Sequence, residues 1–452
     1  MSYDEAFAEF KKLNFNLDTF CPHPFVSFYP SPRGDVFPCC IAMKYKAPSK
    51  VRKDNDVTKM MNTEDFKDLR RALINGERHA ICNDCWIRED AGVDSDRRTV
   101  LQRFTHKKYI HRLQDVVDKT QPDGTIPDFK IKYLEFRDNN ICNYRCRFCN
   151  INSSSTWLSE WVEMGRLKVA PETLNTKTGV AESGIDWNQI DLSELTDIHM
   201  AGGEPTAMDS TYWLLKRLVE NGQSKNIEIG IVSNTSKLER KKQDILELLS
   251  NFKWVNWSTS IDGLGKVHDY LRSGGLDDFD LVDKNIWKIH EFVQQDPEKR
   301  SMKFHSTINW SNAFAWWDVW KRYQLEPDVP LNVQTFFSTG PEGTGINDLP
   351  NEYIQRIIDF YKPKSNSKQI GKIITFCEKN MAKTPEEDEK RWHSLMNYKE
   401  EQMFLDNTRD QVWLDVFPEW EDLWLEIPIH EKAPENVLAR VKAQKERYPE
   451  KY

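Results

Sequence analysis

Nine cysteines are the side chains best suited to chemistry in this sequence, and they are unevenly placed. Cys142, Cys146 and Cys149 form a CxxxCxxC triplet, Cys21, Cys39, Cys40, Cys82 and Cys85 lie ahead of it, and Cys377 stands alone. An odd number in two tight groups, with no export signal in MSYDEAFAEFKKLNF, argues against a disulfide framework. Thiolate ligands for a metal or cluster in a reducing, cytoplasmic compartment are the better reading. Three thiolates on one short loop can hold three irons of a cubane and leave the fourth open. Zinc would want a fourth Cys or His close by, and none follows locally. Open coordination suits a catalytic cluster, because a cofactor can occupy it. The bland alternatives are a zinc knuckle or three unrelated buried thiols.

Such a loop needs elements to hold it. At 452 residues the chain has room for two or three domains. Strand-like stretches fall at 129–136, 197–200, 227–232, 255–260, 304–308 and 331–336, with helical stretches such as 212–219, 281–293 and 313–323 between them. Repeated βα units imply a parallel sheet with helical crossovers, and six strands suit a partial barrel. The expected division is a cysteine-rich segment 1–125, a barrel 126–360 and a helical extension 361–452, with 119–128 as linker. Ser153–Ser155 read as a helix cap, and Lys237–Lys242 as a solvated helix start rather than a nucleic-acid patch. Trp310, Trp316, Trp317 and Trp320 fall at helical spacing and read as core, and Cys377 as a packed thiol.

The triplet, with Phe148 before its last cysteine, resembles the radical S-adenosylmethionine (SAM) superfamily, in which this motif binds a [4Fe–4S] cluster. Gly202-Gly203-Glu204-Pro205, one βα unit later, resembles the family's GGE motif, which receives the methionine amino group. Glycines there let the backbone approach a ligand, and a carboxylate accepts from an ammonium. Ser233 and Asn234 end the third strand, where polar groups can face the ribose. Ser260, Asp262, His268 and Arg272 lie in a stretch resembling the SxDG…HDxxR segment of relatives with auxiliary clusters; Asp262 and Arg272 read equally well as a structural ion pair. The resemblance implies a partial (β/α)6 TIM-like barrel with chemistry at the C-terminal ends of its strands. It also implies SAM as cofactor and Phe148 near the adenine.

Cys21, Cys39, Cys82 and Cys85 resemble the auxiliary-cluster module called twitch, or its longer form SPASM, here ahead of the barrel rather than after it. They would close a second [4Fe–4S] cluster. Cys40 is an alternative to Cys39, and zinc an alternative to iron on spacing alone. The implied activity is reductive cleavage of SAM to a 5′-deoxyadenosyl radical and hydrogen abstraction from a substrate, with an electron donor such as flavodoxin or ferredoxin. A peptide or protein substrate is expected, with a nucleotide, sugar or other small metabolite as runner-up and a non-catalytic metal scaffold as the reading from another class. A net charge of −8 argues against generic nucleic-acid binding. No run approaches the roughly 20 apolar residues of a membrane span.

Overall fold

Apolar alternation and β-branched runs give strands where the sequence pattern places them. The computed structural model describes residues 18–90, 94–106, 110–166, 174–274, 276, 278–326, 331–338, 341–364, 367–430 and isolated positions from 438 to 449. The amino-terminal stretch read for an export signal, and most of the extension beyond 430, lie outside the described residues. The strands are β1 (Ser27–Pro30), β2 (Asp35–Phe37), β3 (Ser49–Lys50), β4 (Tyr133–Phe136), β5 (Asp197–Met200), β6 (Glu228–Ser233), β7 (Glu239–Arg240), β8 (Gln243–Asp244), β9 (Trp254–Ser260), β10 (Arg300–Ile308) and β11 (Val333–Phe337). Nine of them form one mostly parallel sheet in the order β11-β10-β9-β6-β5-β4-β1-β2-β3. Six of these, β4, β5, β6, β9, β10 and β11, follow one another in chain order, as successive βα units of a partial barrel do. The fold is α/β, as expected.

The chain divides into two compact units, one of residues 1–141, 170–231 and 247–255, the other of 142–169, 232–246 and 256–452. In the first, β1 runs parallel to β4, with Phe28 opposite Leu134, so a strand ahead of the barrel caps its first strand's edge. The neighbouring pair β4–β5 sets Glu135 beside His199. Residues 119–128 are a packed turn rather than a free linker. Arg70, fully buried, donates from Nη1 to the Gly124 carbonyl at 3.0 Å, and Ile126 is buried. Gly124 sits at φ 88° with the Lys67 carbonyl oxygen 2.3 Å from where a Cβ would stand, so a side chain is excluded twice over.

In the second unit three of the four tryptophans read as core are buried, while Trp317, on the outer side of its short helix, is only half-buried. Trp310 and Trp316 are fully buried and Trp320 nearly so. The helix Pro385–Arg409 carries the extension, and Trp413 stacks on Trp424 with centroids 4.2 Å apart. Lys399 is buried inside it, its Nζ donating to the Ile427 carbonyl at 2.7 Å, and burial pushes its pKa down to about 8. Two local readings are corrected. Lys237–Lys242 start no helix: β7 and β8 are a hairpin whose turn residues, Lys241 and Lys242, lie at φ 49° and 64°. That is the paired left-handed geometry of a two-residue hairpin turn, without the Gly or Asn that usually signals it. Nor does Ser154 cap the following helix Leu158–Glu163; its hydroxyl donates back to the Tyr144 carbonyl at 2.6 Å.

Candidate iron–sulfur sites

The triplet leaves the C-terminal end of β4 on a loop whose regular structure is too sparse to fix it. Its side chains do that instead. Asn143 donates to Ser236 Oγ at 2.8 Å and accepts from Asn234 Nδ2 at 3.1 Å. Tyr144 donates to Asp278, and its carbonyl accepts from Ser154 and from Thr156 at 2.8 Å. Arg145 reaches the fully buried Glu160 at 3.2 Å, which also takes two bonds from Arg409 at 2.9 and 2.8 Å. Arg147 is the most heavily engaged. It donates to Asp406 at 2.7 Å, Gln402 Oε1 at 2.9 Å, Gln411 Oε1 at 2.8 Å and the Tyr270 carbonyl at 3.1 Å, with its guanidinium 3.6 Å from the Tyr270 ring centroid. Asp406 is itself fully buried and accepts further from Tyr270 Oη at 2.6 Å and Trp413 N at 2.7 Å.

The cysteines between these anchors sit in one electrostatic neighbourhood. Burial raises the Cys146 pKa while the positive charge of Arg272 opposes it, and burial followed by the Cys146 charge pushes Cys149 up to about 12. Such thiols stay protonated until a cation displaces the proton, which is the ordinary chemistry of cluster loading. The Tyr144 amide donates to Cys142 Sγ at 3.4 Å. Arg272 pairs with Asp262, both buried, and lies 5.7 Å over the Phe148 ring. The ion pair is therefore present, and it holds a cation beside two ligand cysteines and Phe148. Ser233 accepts from Thr235 N at 2.8 Å, Asn234 Oδ1 accepts from Ser236, and Ser260 closes β9.

In the other unit the GGE segment is bonded to the approach of the loop. Glu204 N donates to the Ile141 carbonyl at 2.8 Å. Gly203, at φ 59°, leaves room for no Cβ, which would stand 2.5 Å from the Ile141 carbonyl oxygen. Asn140 fixes that same backbone through Ala181 N at 2.8 Å and the Gly179 carbonyl at 2.9 Å. The Glu204 carboxylate, almost fully buried, accepts from Thr206 N at 3.0 Å and Thr206 Oγ1 at 2.8 Å, and Pro205 opens the single turn that follows.

The amino-terminal cysteines gather in a core with Tyr29, Phe37, Leu69, Leu73, Ile81 and Trp86. Burial and then the charge of Cys82 raise the Cys21 pKa, with Cys85 adding to it; burial, Cys40 and then Cys21 raise that of Cys39. Cys21 thus feels Cys82 and Cys85, and Cys39 feels Cys40 before Cys21. Cys40 differs: after burial, its largest influences are Glu135, Asp96 and Arg137, and it rises to about 12. Cys39 and Cys40 pack against the same core, and Cys39 is taken as the fourth ligand, as the sequence reading has it. Both cysteine sets fit their cubane in donor chemistry, with three thiols for an open cluster and four for a closed one. Cys377 is fully buried on its helix, as read.

Sequence reasoning passed over Asn143, Tyr144, Arg145 and Arg147. Polar residues at every position but Phe148 between the triplet cysteines were the available signal, but their partners, up to 264 residues away, were not legible. It also missed Arg409 and Asp406. Among the described residues, the one group of three possible metal ligands with ligand atoms within 4.8 Å of one another is His268, Asp269 and Asp278, and no cysteine belongs to it. Its carboxylates are already committed, Asp269 to the amides of Asp278 and Phe279, and Asp278 to Tyr144. Burial holds the His268 imidazole neutral, with its pKa near 3.

Two outcomes follow. Cys39→Ala should lower iron by about four per chain after anaerobic reconstitution, whereas Cys40→Ala should keep it; equal iron in both would contradict the assignment. Asp406→Ala leaves Arg147 buried without its counter-ion and should destabilise the unit by about 3–5 kcal/mol. Denaturant unfolding measures this, and the same variant should lose the triplet's iron while keeping that of the amino-terminal set.

Residues 21–86 match the SPASM family, an iron–sulfur cluster-binding domain. No curated protein matches the chain. Among solved structures, the chain is similar at 16% identity to one described as native anSMEcpe with bound AdoMet, over 52% of this chain and 61% of that one, with a TM-score of 0.32. At 13% identity it is similar to TYW1 with a lysine-pyruvate adduct bound, over 48% and 68%, with a TM-score of 0.26. The chain thus spans about six tenths of the anSMEcpe chain. The amino-terminal cysteines thus lie in a stretch matched by an iron–sulfur cluster-binding domain, and the CxxxCxxC loop follows β4.

Proposed function

We propose that the chain is a radical SAM enzyme that abstracts a hydrogen atom from a peptide or protein substrate, in the cytoplasm, using electrons from a donor such as a flavodoxin or ferredoxin. The observation that carries the enzyme reading is the triplet loop, in which Asn143, Tyr144, Arg145 and Arg147, between the three cysteines, are each anchored by side-chain hydrogen bonds. A scaffold has no use for an open coordination position held this firmly. A [4Fe–4S] cluster on Cys142, Cys146 and Cys149, with SAM at its open iron, would supply a 5′-deoxyadenosyl radical. The chain's own part is to bind and orient. By the resemblance, Gly202 and Gly203 would offer backbone to the methionyl group and Phe148 an aromatic face to the adenine, while Arg272 would set positive charge beside Cys146 and Cys149. Cys21, Cys39, Cys82 and Cys85 would complete an auxiliary cluster with no open position, which suits electron transfer from a substrate radical. No helix among the described residues is long and apolar enough to cross a membrane.

The test is 5′-deoxyadenosine formation by anaerobically reconstituted protein given SAM and dithionite. The wild type should form it, and a Cys142/Cys146/Cys149→Ala variant should form none. No product from a wild-type preparation that holds the triplet cluster would overturn the proposal.

A further inference from the structure

Arg137, directly after β4, is a guanidinium without a full set of partners. It makes no hydrogen bond to any described residue, and its Nε is buried without one. The carboxylate paired with it, on Glu135, is 3.9 Å from that Nε. Its guanidinium carbon lies 5.2 Å from the Tyr29 ring centroid. Yet 18% of the side chain is exposed, so the head can be reached. Arg70 by contrast makes four bonds to carbonyl and amide oxygens, and Arg272 and Arg409, each with one nitrogen buried without a partner, are still bonded to a buried carboxylate, which Arg137 is not. Leaving donors of a desolvated cation unmade is costly, and an arginine so placed calls for an acceptor.

Glu135 does not meet that demand. Its Oε2 is 2.9 Å from His199 Nδ1 and its Oε1 accepts from Tyr133 Oη at 3.2 Å. Burial alone would raise its pKa; His199 first and Arg137 after it bring it down to about 2, so it stays ionised. Arg137 also lies against the GGE turn. A Cβ on Gly202, which sits at φ 82°, would be 3.0 Å from Arg137 Cδ and 3.2 Å from Nη1. The fixed fork of a guanidinium matches the two oxygens of one carboxylate, and the nearby Glu135 charge disfavours a dianionic phosphate.

We propose that Arg137, flanked by Tyr29 and Gly202, is a carboxylate-binding site. The proposal deepens the function above, on which it rests, by naming a ligand class: a substrate carrying a carboxylate, such as an acidic side chain or chain terminus. The same chemistry could be met by the carboxylate of SAM, and the experiment separates the two.

Anaerobic, reconstituted wild type and Arg137→Gln are titrated calorimetrically with glutarate in the presence of SAM, with SAM alone, and with decarboxylated SAM. Glutarate binding at least tenfold weaker in the variant, with SAM affinity unchanged, supports the substrate carboxylate. SAM at least tenfold weaker, with decarboxylated SAM unaffected, supports the site with the cofactor as its source. Unchanged affinity for both glutarate and SAM, or no glutarate binding by wild type with SAM unaffected by the variant, overturns it. If Arg137→Gln does not retain its iron, Arg137→Lys, which keeps the charge but not the fork, is read by the same criteria. Binding needs no SAM cleavage, so an enzyme that forms no 5′-deoxyadenosine yet binds glutarate through Arg137 separates failure of the function from failure of the site.

Discussion

Everything in the triplet loop depends on the buried ion pair between Arg147 and Asp406. A loop of three metal ligands cannot fold on apolar burial, because its cysteines must stay available and its backbone has few ladder partners. Arg147 supplies the missing order by inserting a fully saturated guanidinium between Cys146 and Phe148, bound to a carboxylate 259 residues away. The pair is costly to desolvate, and its geometry offsets that cost only because Tyr270, Gln402, Gln411 and Trp413 satisfy the remaining donors and acceptors. The extension is thus part of the site's construction. Glu160, shared between Arg145 and Arg409, repeats the device one step along the loop.

The two cysteine groups solve different electrostatic problems. The amino-terminal thiols are buried together and raise one another's pKa, so four thiolates are tolerable there only when a cluster neutralises them. The triplet has a permanent cation, Arg272, held in place by Asp262 and lowering the pKa of both Cys146 and Cys149. A fixed positive charge beside the cluster favours its reduced form, the form that must deliver an electron. Cys40 packs on the amino-terminal core and raises the pKa of Cys39. Its neighbours are Glu135 and Arg137, at the end of the first barrel strand.

Much of this was legible in the sequence because it rests on local pattern. The six barrel strands show as alternating or β-branched runs, and the cysteine spacings announce two metal sites before any coordinates. Burial of Trp316 and Trp320 follows from helical periodicity, whereas Trp310 is buried in the turn after β10. What was not legible depends on contacts distant in sequence. Spacing alone does not choose between the neighbours Cys39 and Cys40. The role of Arg147 needs Asp406, and the isolation of Arg137 is visible only when every acceptor around it can be counted. The hairpin at 239–244 escaped because Lys241 and Lys242 adopt left-handed backbone without a turn residue to mark it.

The central claim is that Cys142, Cys146 and Cys149 leave one iron open for SAM while the amino-terminal four leave none. Electron paramagnetic resonance of the dithionite-reduced protein, with and without SAM, tests it most directly. The account predicts two overlapping [4Fe–4S] signals, of which SAM shifts one, and loss of that SAM-sensitive signal alone in the Cys142/Cys146/Cys149→Ala variant. A SAM-sensitive signal that survives in that variant, or two wild-type signals that are both indifferent to SAM, would contradict it.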